Sequence, residues 1–133
     1  MGVDRIVACE AMKNAVIVDA GSAITVDVVC DGVFEGGFIY PGTKAMKRCF
    51  MDISSALDYE FNYEIDTTKL AKNSQNALSY GYLKLLYSEV NLHKMPVVLT
   101  GGDAHLLKKL FVDAQVDELL IFDGMKKLIQ RKF

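Results

Sequence analysis

The sequence lacks the features that would place it in a membrane or on a nucleic acid. Its apolar stretches, such as 15–18 and 95–99, are soon interrupted by Asp, Gly or Lys, whereas a membrane-spanning helix needs about 20 apolar residues. It also lacks a basic excess, because 15 Lys and Arg face 17 Asp and Glu. Such a balance gives no general attraction to phosphate backbones or anionic lipid. We therefore expect neither a membrane nor a nucleic acid as a partner.

Signals for secretion, lipidation and disulfide formation are also missing. Met1 is followed by Gly2, Asp4 and Arg5 rather than by a basic region and an apolar core, so we expect no secretory signal. Ile6 stands where myristoylation needs Ser or Thr. The three cysteines are widely spaced and form no C-x-x-C pair, which argues against a disulfide framework and a zinc site. We expect a reducing, cytoplasmic location.

The residues that are present predict one α/β domain. At 133 residues, 51% of them hydrophobic, the chain is long enough for a sizeable core. Asp31-Gly32 predicts a tight hairpin turn. The spacing of apolar and β-branched residues predicts strands over 15–18, 24–30, 33–40, 97–99 and 119–122, and helices over 4–12, 46–53, 78–86, 106–111 and 124–132. This order predicts a three-strand antiparallel meander extended by parallel strands, with helices on the faces of a mixed sheet.

Small residues and hydroxyls follow the first predicted strand, in the segment Asp19-Ala20-Gly21-Ser22-Ala23-Ile24-Thr25. Small residues let backbone amides approach an anion closely, and hydroxyls can donate to it. The segment is therefore either a phosphate cradle or an ordinary tight turn. The G-x-x-x-x-G-K-[ST] pattern is absent, which excludes a P-loop mechanism.

Two further glycine segments lie at strand ends or inside a strand. Thr100-Gly101-Gly102-Asp103 follows an apolar strand, at the carboxyl end where ligands commonly bind in α/β sheets. It is either a nucleotide contact or a strand-to-helix turn in which Asp103 caps the helix. Gly36-Gly37, inside the third predicted strand, indicates either a close backbone approach or a bulge.

The segment Gly2-Val3-Asp4-Arg5 offers a carboxylate and a guanidinium side by side at the start of a predicted helix. Such an Asp could accept a proton from a substrate hydroxyl, and the Arg could hold a carboxylate through two hydrogen bonds. A helix cap beside a solvated base is the alternative.

Taken together and in order, five segments resemble the type III pantothenate kinases over almost the whole chain: residues 2–5 (GVDR), 19–27 (DAGSAITVD), 36–42 (GGFIYPG), 72–74 (KNS) and 100–104 (TGGDA). These enzymes are related to the Bvg accessory factor proteins. They are homodimers of the ribonuclease H-like, actin-like ATPase (ASKHA) fold. They transfer the γ-phosphoryl group of ATP to pantothenate, the first step of coenzyme A biosynthesis, and they require a monovalent cation.

The resemblance implies roles for residues on the acceptor side. Asp4 is expected to be the catalytic proton acceptor for the pantothenate hydroxyl, and Gly2, Val3 and Arg5 complete that substrate-binding segment. Ser74 stands where family members have a Thr that binds pantothenate near the dimer interface, so a hydroxyl is retained.

The resemblance also implies a nucleotide and cation side. Asp19 is expected to bind the monovalent cation, K⁺ or NH₄⁺, while Mg²⁺ bridges the ATP oxygens. Gly21 and Ser22 are expected at the ATP phosphates, with Ser22 replacing the more usual Thr. The remaining expected ATP-binding residues form the second glycine turn: Thr100, Gly101, Gly102 and Asp103.

One departure from the family is at the front of the chain. Family members begin with another actin-like half that carries a D-x-G-N-[ST] motif and a substrate-contacting Tyr, and neither precedes Gly2. The resemblance therefore implies that residues 1–133 form a single actin-like domain, corresponding to the C-terminal half, with the N-terminal half absent. A fragment, an alternative start, an isolated domain or a decayed gene would each give such a chain, and activity of the chain alone is not expected to be complete. A non-catalytic binding or regulatory protein of the accessory-factor kind, and another sugar or acid kinase of this fold, are the alternatives.

Overall fold

The computed structural model describes residues 13–117. The helix predicted over 4–12, the strand over 119–122 and the helix over 124–132 lie outside this range, as do Gly2, Val3, Asp4 and Arg5.

Five strands form one mixed sheet in the order β3-β2-β1-β4-β5. Their bounds are β1 Ala15–Ala20, β2 Ala23–Cys30, β3 Val33–Pro41, β4 Val97–Thr100 and β5 Gln115–Val116. β1, β2 and β3 pair antiparallel, while β4 pairs parallel with β1 and β5 pairs parallel with β4. The predicted meander with its parallel extension is confirmed. β5 lies at Gln115–Val116, ahead of the segment 119–122 in which the fifth strand was predicted.

The β2–β3 hairpin is built as the glycines suggested. Asp31 and Gly32 have φ of 52° and 76°, the positive values that a tight two-residue hairpin turn needs. Further along, the register shifts between Val28 and Val29, so β3 contains a bulge. A Cβ placed on Gly37 would lie 2.1 Å from the Val26 carbonyl oxygen. The Gly36-Gly37 segment therefore combines both predicted possibilities, a bulge and a close backbone approach.

Three α-helices and a 3-10 turn complete the described part of the chain. They are α1 Thr43–Ile53, the 3-10 turn Ser55–Leu57, α2 Ser74–Leu92 and α3 Ala104–Leu107. α2 starts where Asn73 caps it by accepting a hydrogen bond from the Asn76 amide at 2.9 Å. No helix within 13–117 has the length and apolar character needed to cross a membrane.

The helix predicted over 106–111 is shorter than expected. α3 ends at Leu107, and the chain continues in turns, although Leu107, Leu110 and Phe111 are buried as their spacing predicted. Asp103 precedes α3 but makes no side-chain capping hydrogen bond. Asp103 thus occupies the predicted N-cap position, but its carboxylate does not cap the helix and instead faces a threonine hydroxyl described below.

The main core lies between α2 and one face of the sheet. Its members are buried aliphatic and aromatic side chains from β1, β2, β4, α2 and the α3 region: Val16, Val18, Ala20, Ile24, Val26, Val28, Tyr82, Leu83, Leu86, Val90, Leu99, Ala104, Leu107, Leu110, Phe111 and Ala114. Three positions of the predicted apolar helix faces are exceptions, since Leu85 is 65% and Ile53 68% exposed and Cys49 is exposed as well. The buried stripe of α2 runs through positions spaced by four, and Leu85 lies beside it. In α1 the apolar residues at helical spacing are Met46, Cys49, Phe50 and Ile53, and of these Met46 packs against this core.

Candidate functional site

Polar side chains from three adjacent strands meet at the carboxyl end of β1. In the sheet register Asp19 lies opposite Thr25 of β2 and opposite Thr100 of β4. Because residues in register point to the same face, these three side chains form a row on the face opposite the main core. Asp27 lies on the same face, two residues beyond Thr25 on β2. We call Asp19, Thr25, Asp27 and Thr100 the oxygen cluster.

Several oxygens of this cluster are buried without a partner. Asp27 and Thr100 are both 0% exposed. Within the described residues, the Asp27 carboxylate oxygens and the Thr25 and Thr100 hydroxyls make no hydrogen bond. Each such buried polar group costs roughly 1–3 kcal/mol, and most buried polar groups in proteins are satisfied. The cluster therefore has capacity for a ligand.

The charge in the cluster is costly as well. Burial and, to a smaller extent, the nearby negative charge of Asp19 together raise the pKa of Asp27 from 3.8 to about 6. Both effects disfavour the ionised form of Asp27. A cation near these carboxylates would oppose both effects.

The second glycine turn is pressed against the end of β1. Gly101 has φ of +93°, and a Cβ there would lie 2.6 Å from both the Ala20 carbonyl oxygen and Asp19 Oδ1. Just beyond it, the Asp103 amide donates to the Ala20 carbonyl at 2.9 Å. Only glycine suits position 101, because other residues rarely adopt this φ and none could fit a side chain there. The turn after β4 is thus fixed beside Asp19.

The start of α1 closes the same corner. A Cβ on Gly42 would lie 2.2 Å from the Ser22 carbonyl oxygen and 2.7 Å from that of Gly21, so the backbones of the two turns are in contact. Thr43, the first residue of α1, is 8% exposed and donates from Oγ1 to Asp103 Oδ2 at 3.5 Å. Ser22 is exposed at the tip of the β1–β2 turn.

Three turns therefore meet at one corner of the sheet: the β1–β2 turn, the start of α1 and the β4–α3 turn. Their small residues leave the backbone accessible, and Ser22 adds an exposed hydroxyl. Such an arrangement can bind a phosphate group or lie against a flat base or sugar.

A chain of contacts leads from this corner to the start of α2. The Tyr63 hydroxyl is hydrogen-bonded to Thr43, and burial raises its pKa. The neighbouring Asn62 bonds through its amide to Ser79 Oγ at 2.8 Å and through Nδ2 to Asn76 Oδ1 at 3.2 Å. A cavity of about 420 Å³ lies beside these residues, and Lys72 and Asn73 are among those that line it. Ser74 is exposed at the far end of this chain of contacts.

Several of the predicted site residues are thus brought together, and others are not. Asp19, Gly21, Ser22 and the segment 100–103 share one corner, while Ser74 belongs to the α2 end. The segment 2–5 lies outside the described residues.

Sequence reasoning gave Thr25 no role beyond its place in the possible phosphate cradle over 19–25, and it gave none to Asp27, Gly42, Thr43 or Tyr63. Thr25 and Asp27 did carry a signal, because they alternate with apolar residues along β2 and so mark one polar face. Gly42, Thr43 and Tyr63 carried none, since their contacts join elements far apart in the chain.

A divalent metal centre built from side chains alone is not found in this part of the chain. No group of three or more His, Cys, Asp or Glu within 13–117 is placed to hold a metal ion. Threonine and aspartate oxygens are instead ligands typical of hard cations.

Comparisons with known proteins agree on one family. Residues 1–92 match the family profile described as type III pantothenate kinase. A Sulfurimonas denitrificans protein named type III pantothenate kinase is 57% identical over 131 residues, which are 98% of this chain and 64% of that protein. A Campylobacter jejuni protein of the same name is 40% identical over 132 residues, 98% of this chain and 63% of that protein.

A solved structure agrees with these sequence matches. A Campylobacter jejuni protein described as a conserved Baf family transcriptional activator superposes with a TM-score of 0.75 at 39% identity, over 99% of this chain and 65% of that one. This chain spans slightly less than two thirds of the length of these relatives.

Proposed function

Because the chain belongs to the type III pantothenate kinase family, we propose that it provides the nucleotide and cation side of an ATP-dependent pantothenate kinase. Its meander with two parallel strands is the sheet of a ribonuclease H-like, actin-like (ASKHA) domain. We propose that residues 1–133 form a single such domain, equivalent to one half of the enzyme. The observation that carries the proposal is the convergence of the Gly21, Gly42 and Gly101 turns beside Asp19.

ATP fits this corner for two physical reasons. Phosphoryl transfer depends mainly on positioning and on neutralising phosphate charge, and a corner of close-packed small residues can hold phosphates against the backbone. We assign Gly21 and Ser22 to the phosphates, and Thr100, Gly101, Gly102 and Asp103 to the nucleotide.

The oxygen cluster suits a monovalent cation, K⁺ or NH₄⁺, beside Asp19. Its buried oxygens without partners within 13–117 are of the type that hard cations bind. Mg²⁺ in kinase sites is usually held by one or two carboxylates together with substrate phosphates, so a separate cage for it is not needed. When bound, these cations would neutralise charge on the transferred phosphoryl group.

The acceptor side is assigned from the family resemblance. We propose that Asp4 accepts the proton of the pantothenate hydroxyl and that Gly2, Val3 and Arg5 hold the substrate beside it. Ser74, at the start of α2 near the 420 Å³ cavity, is proposed to contact pantothenate.

We also propose that the chain forms a homodimer in the cytoplasm. Leu70, Leu85 and Leu92 are 80%, 65% and 66% exposed, and Leu85 and Leu92 lie two turns apart on α2. Leu85 and Leu92 thus lie on one face of the helix, and exposed apolar side chains that share a face are typical of association surfaces. Cys30 and Cys49 are free thiols, which supports a reducing compartment.

The test is pantothenate-dependent release of ADP by the purified chain with ATP, Mg²⁺ and K⁺. The assay is repeated after adding, as a separate polypeptide, the part of the Sulfurimonas denitrificans relative that this chain does not match. Turnover in either condition that stops without pantothenate supports the proposal, and Ser22→Ala should reduce it while Ser55→Ala, an exposed control, should not. Absence of turnover in both conditions, from protein shown to be folded, contradicts it.

A binding or regulatory protein without turnover is the second candidate. The name of the solved Campylobacter jejuni relative, a transcriptional activator, favours it. Saturable binding of ATP and pantothenate without any ADP release, in both conditions of the same assay, would support this candidate over the kinase.

A further inference from the structure

Tyr82, in the middle of α2, reaches the end of the strand that leads into the proposed phosphate contacts. Its side chain is 2% exposed, and its hydroxyl donates a hydrogen bond to the Pro41 carbonyl at 2.6 Å. Pro41 is the last residue of β3, and Gly42 follows it. We call Gly21, Ser22 and Gly42 together the phosphate corner. The Tyr82 hydroxyl therefore acts on the residue next to this corner.

The phosphate corner depends on where the Pro41 carbonyl lies. A Cβ on Gly42 would lie 2.2 Å from the Ser22 carbonyl oxygen and 2.7 Å from that of Gly21, so the two turns touch through their backbones. Consecutive Cα atoms are held about 3.8 Å apart, and a movement of Pro41 must therefore move Gly42 as well. Such a movement would press Gly42 against the β1–β2 turn or draw it away.

The Tyr82 side chain is itself held in one place. Its ring stacks on that of Tyr40, with centroids 5.3 Å apart, and lies 4.7 Å from the ring of Phe61. The Tyr40 hydroxyl donates to the Tyr82 carbonyl. Burial raises the pKa of the Tyr82 hydroxyl, so the group stays protonated and keeps its role as a donor. Aromatic neighbours and burial thus fix the direction of this hydrogen bond.

The helix that carries Tyr82 is also anchored one turn earlier. Ser79 is 0% exposed, and its hydroxyl donates to the Gln75 carbonyl at 3.0 Å and accepts from the Asn62 amide at 2.8 Å. The Asn62 side chain bonds in turn to Asn76 Oδ1 at 3.2 Å. Positions 79 and 82 are three residues apart and so lie on one face of α2. The helix therefore offers a fixed base from which Tyr82 can hold the strand end.

From these contacts we propose that Tyr82 is a positioning residue for the ATP phosphates. Its hydroxyl holds Pro41, and through it Gly42, in the place where the phosphate corner can receive them. Because Tyr82 is buried, it acts through the backbone and not by contact with the nucleotide. The inference rests on the proposed function for the assignment of the phosphates to Gly21 and Ser22.

The experiment separates binding from stability. The dissociation constant of MgATP is measured by titration calorimetry, well below the unfolding midpoint, for the unmodified 133-residue chain and for Tyr82→Phe. Tyr87→Phe is the matched control, since it makes the same change on the same helix, where the ring stacks on Phe111. Val90→Ala truncates a fully buried side chain of α2 and controls for loss of stability alone.

Tyr82→Phe should weaken MgATP affinity by about three- to tenfold, the range that one lost hydrogen bond gives. It should also shift the amide signals of Ser22 and Gly42 in the ligand-free chain. Tyr87→Phe should change neither. Val90→Ala should lower the unfolding midpoint, as a buried truncation does, and keep the affinity of the unmodified chain. For a Tyr82→Phe protein that fails to fold, Tyr40→Phe takes its place, because it loosens Tyr82 by removing the hydrogen bond to its carbonyl.

Two kinds of result would overturn the inference, and they differ in what else they remove. If the unmodified chain binds no MgATP, the nucleotide assignment of the proposed function fails and the inference fails with it. If the unmodified chain binds MgATP and Tyr82→Phe binds it equally well, the inference alone fails. The same holds if Val90→Ala loses as much affinity as Tyr82→Phe, since Tyr82 would then contribute only to stability.

Discussion

Replacing Asp27 with Asn should change how the stability of the chain depends on pH. Folding raises the pKa of the Asp27 carboxyl from 3.8 to about 6, so the folded chain binds this proton more tightly than the unfolded chain. Stability must then fall as pH rises through this interval, because the unfolded state releases the proton first. Since one pKa unit corresponds to about 1.4 kcal/mol, the loss amounts to about 3 kcal/mol once both states are ionised near pH 7.

The assay is urea unfolding of the unmodified chain and of Asp27→Asn, from pH 4 to pH 7.5, in choline chloride without K⁺ or NH₄⁺. Asn carries no charge at any pH, so the variant lacks this contribution. Its buried amide has its own cost, but that cost does not depend on pH. Because the unfolded carboxyl is already about half ionised at pH 4, the difference in free energy of unfolding should shift in favour of the variant by about 2.5 kcal/mol between the two ends of the range.

Asp52→Asn is the matched control, because Asp52 is exposed on α1, and it should follow the unmodified chain across the range. A constant difference between Asp27→Asn and the unmodified chain from pH 4 to pH 7.5 would refute the assignment of a buried, charge-strained carboxyl. A shift in the opposite direction would mean that the ionised form of Asp27 is stabilised in the folded chain.

Three further predictions concern the turns, the aromatic packing and the proposed base. Gly101→Ala should destabilise the chain by several kcal/mol, because it combines a φ of +93° with a Cβ 2.6 Å from Asp19 Oδ1. Its control, Gly81→Ala, lies in open space on α2 and should stabilise the chain by about 0.5–1 kcal/mol. Equal midpoints of the two variants in thermal unfolding would contradict both expectations. Tyr82→Phe removes the 2.6 Å hydrogen bond to the Pro41 carbonyl and should cost about 1–2 kcal/mol in urea unfolding; an unchanged value would show that this carbonyl is satisfied otherwise. Asp4→Asn in the intact enzyme should abolish phosphoryl transfer but preserve ATP binding, and near-normal turnover would rule out Asp4 as the base.

The sheet was predictable because its signals are local. The β-branched runs of β1 and β2, and the Asp31-Gly32 turn between β2 and β3, act through neighbours in the chain. Burial of α1 and α2 was less predictable, since Ile53 and Leu85 fit an apolar period but do not face the core. Which positions of a helix are buried depends on the elements packed against it, and a period alone does not identify these.

The candidate site was predictable only in its glycine segments. Gly21 and Gly101 stood out because they follow apolar strands. The unsatisfied oxygens of Asp27 and Thr100 and the contact of Thr43 with Asp103 depend on strand register and on long-range packing. A sequence does not display those directly, and so Asp27 and Thr43 had no assigned role before the structure, whereas Thr100 and Asp103 were expected only as part of the second glycine turn.

The measurement that tests the central claim most directly is a titration of the ¹⁵N-labelled chain with MgATP in KCl, followed by amide chemical shifts. The account predicts saturable shifts at Gly21, Ser22, Gly101 and Gly102, whose turns meet at the carboxyl end of β1, and none at Gly32 in the β2–β3 turn. Shifts centred on Gly32, or no shift at the four glycine-turn amides at millimolar MgATP, would contradict the assignment of this corner as the nucleotide site.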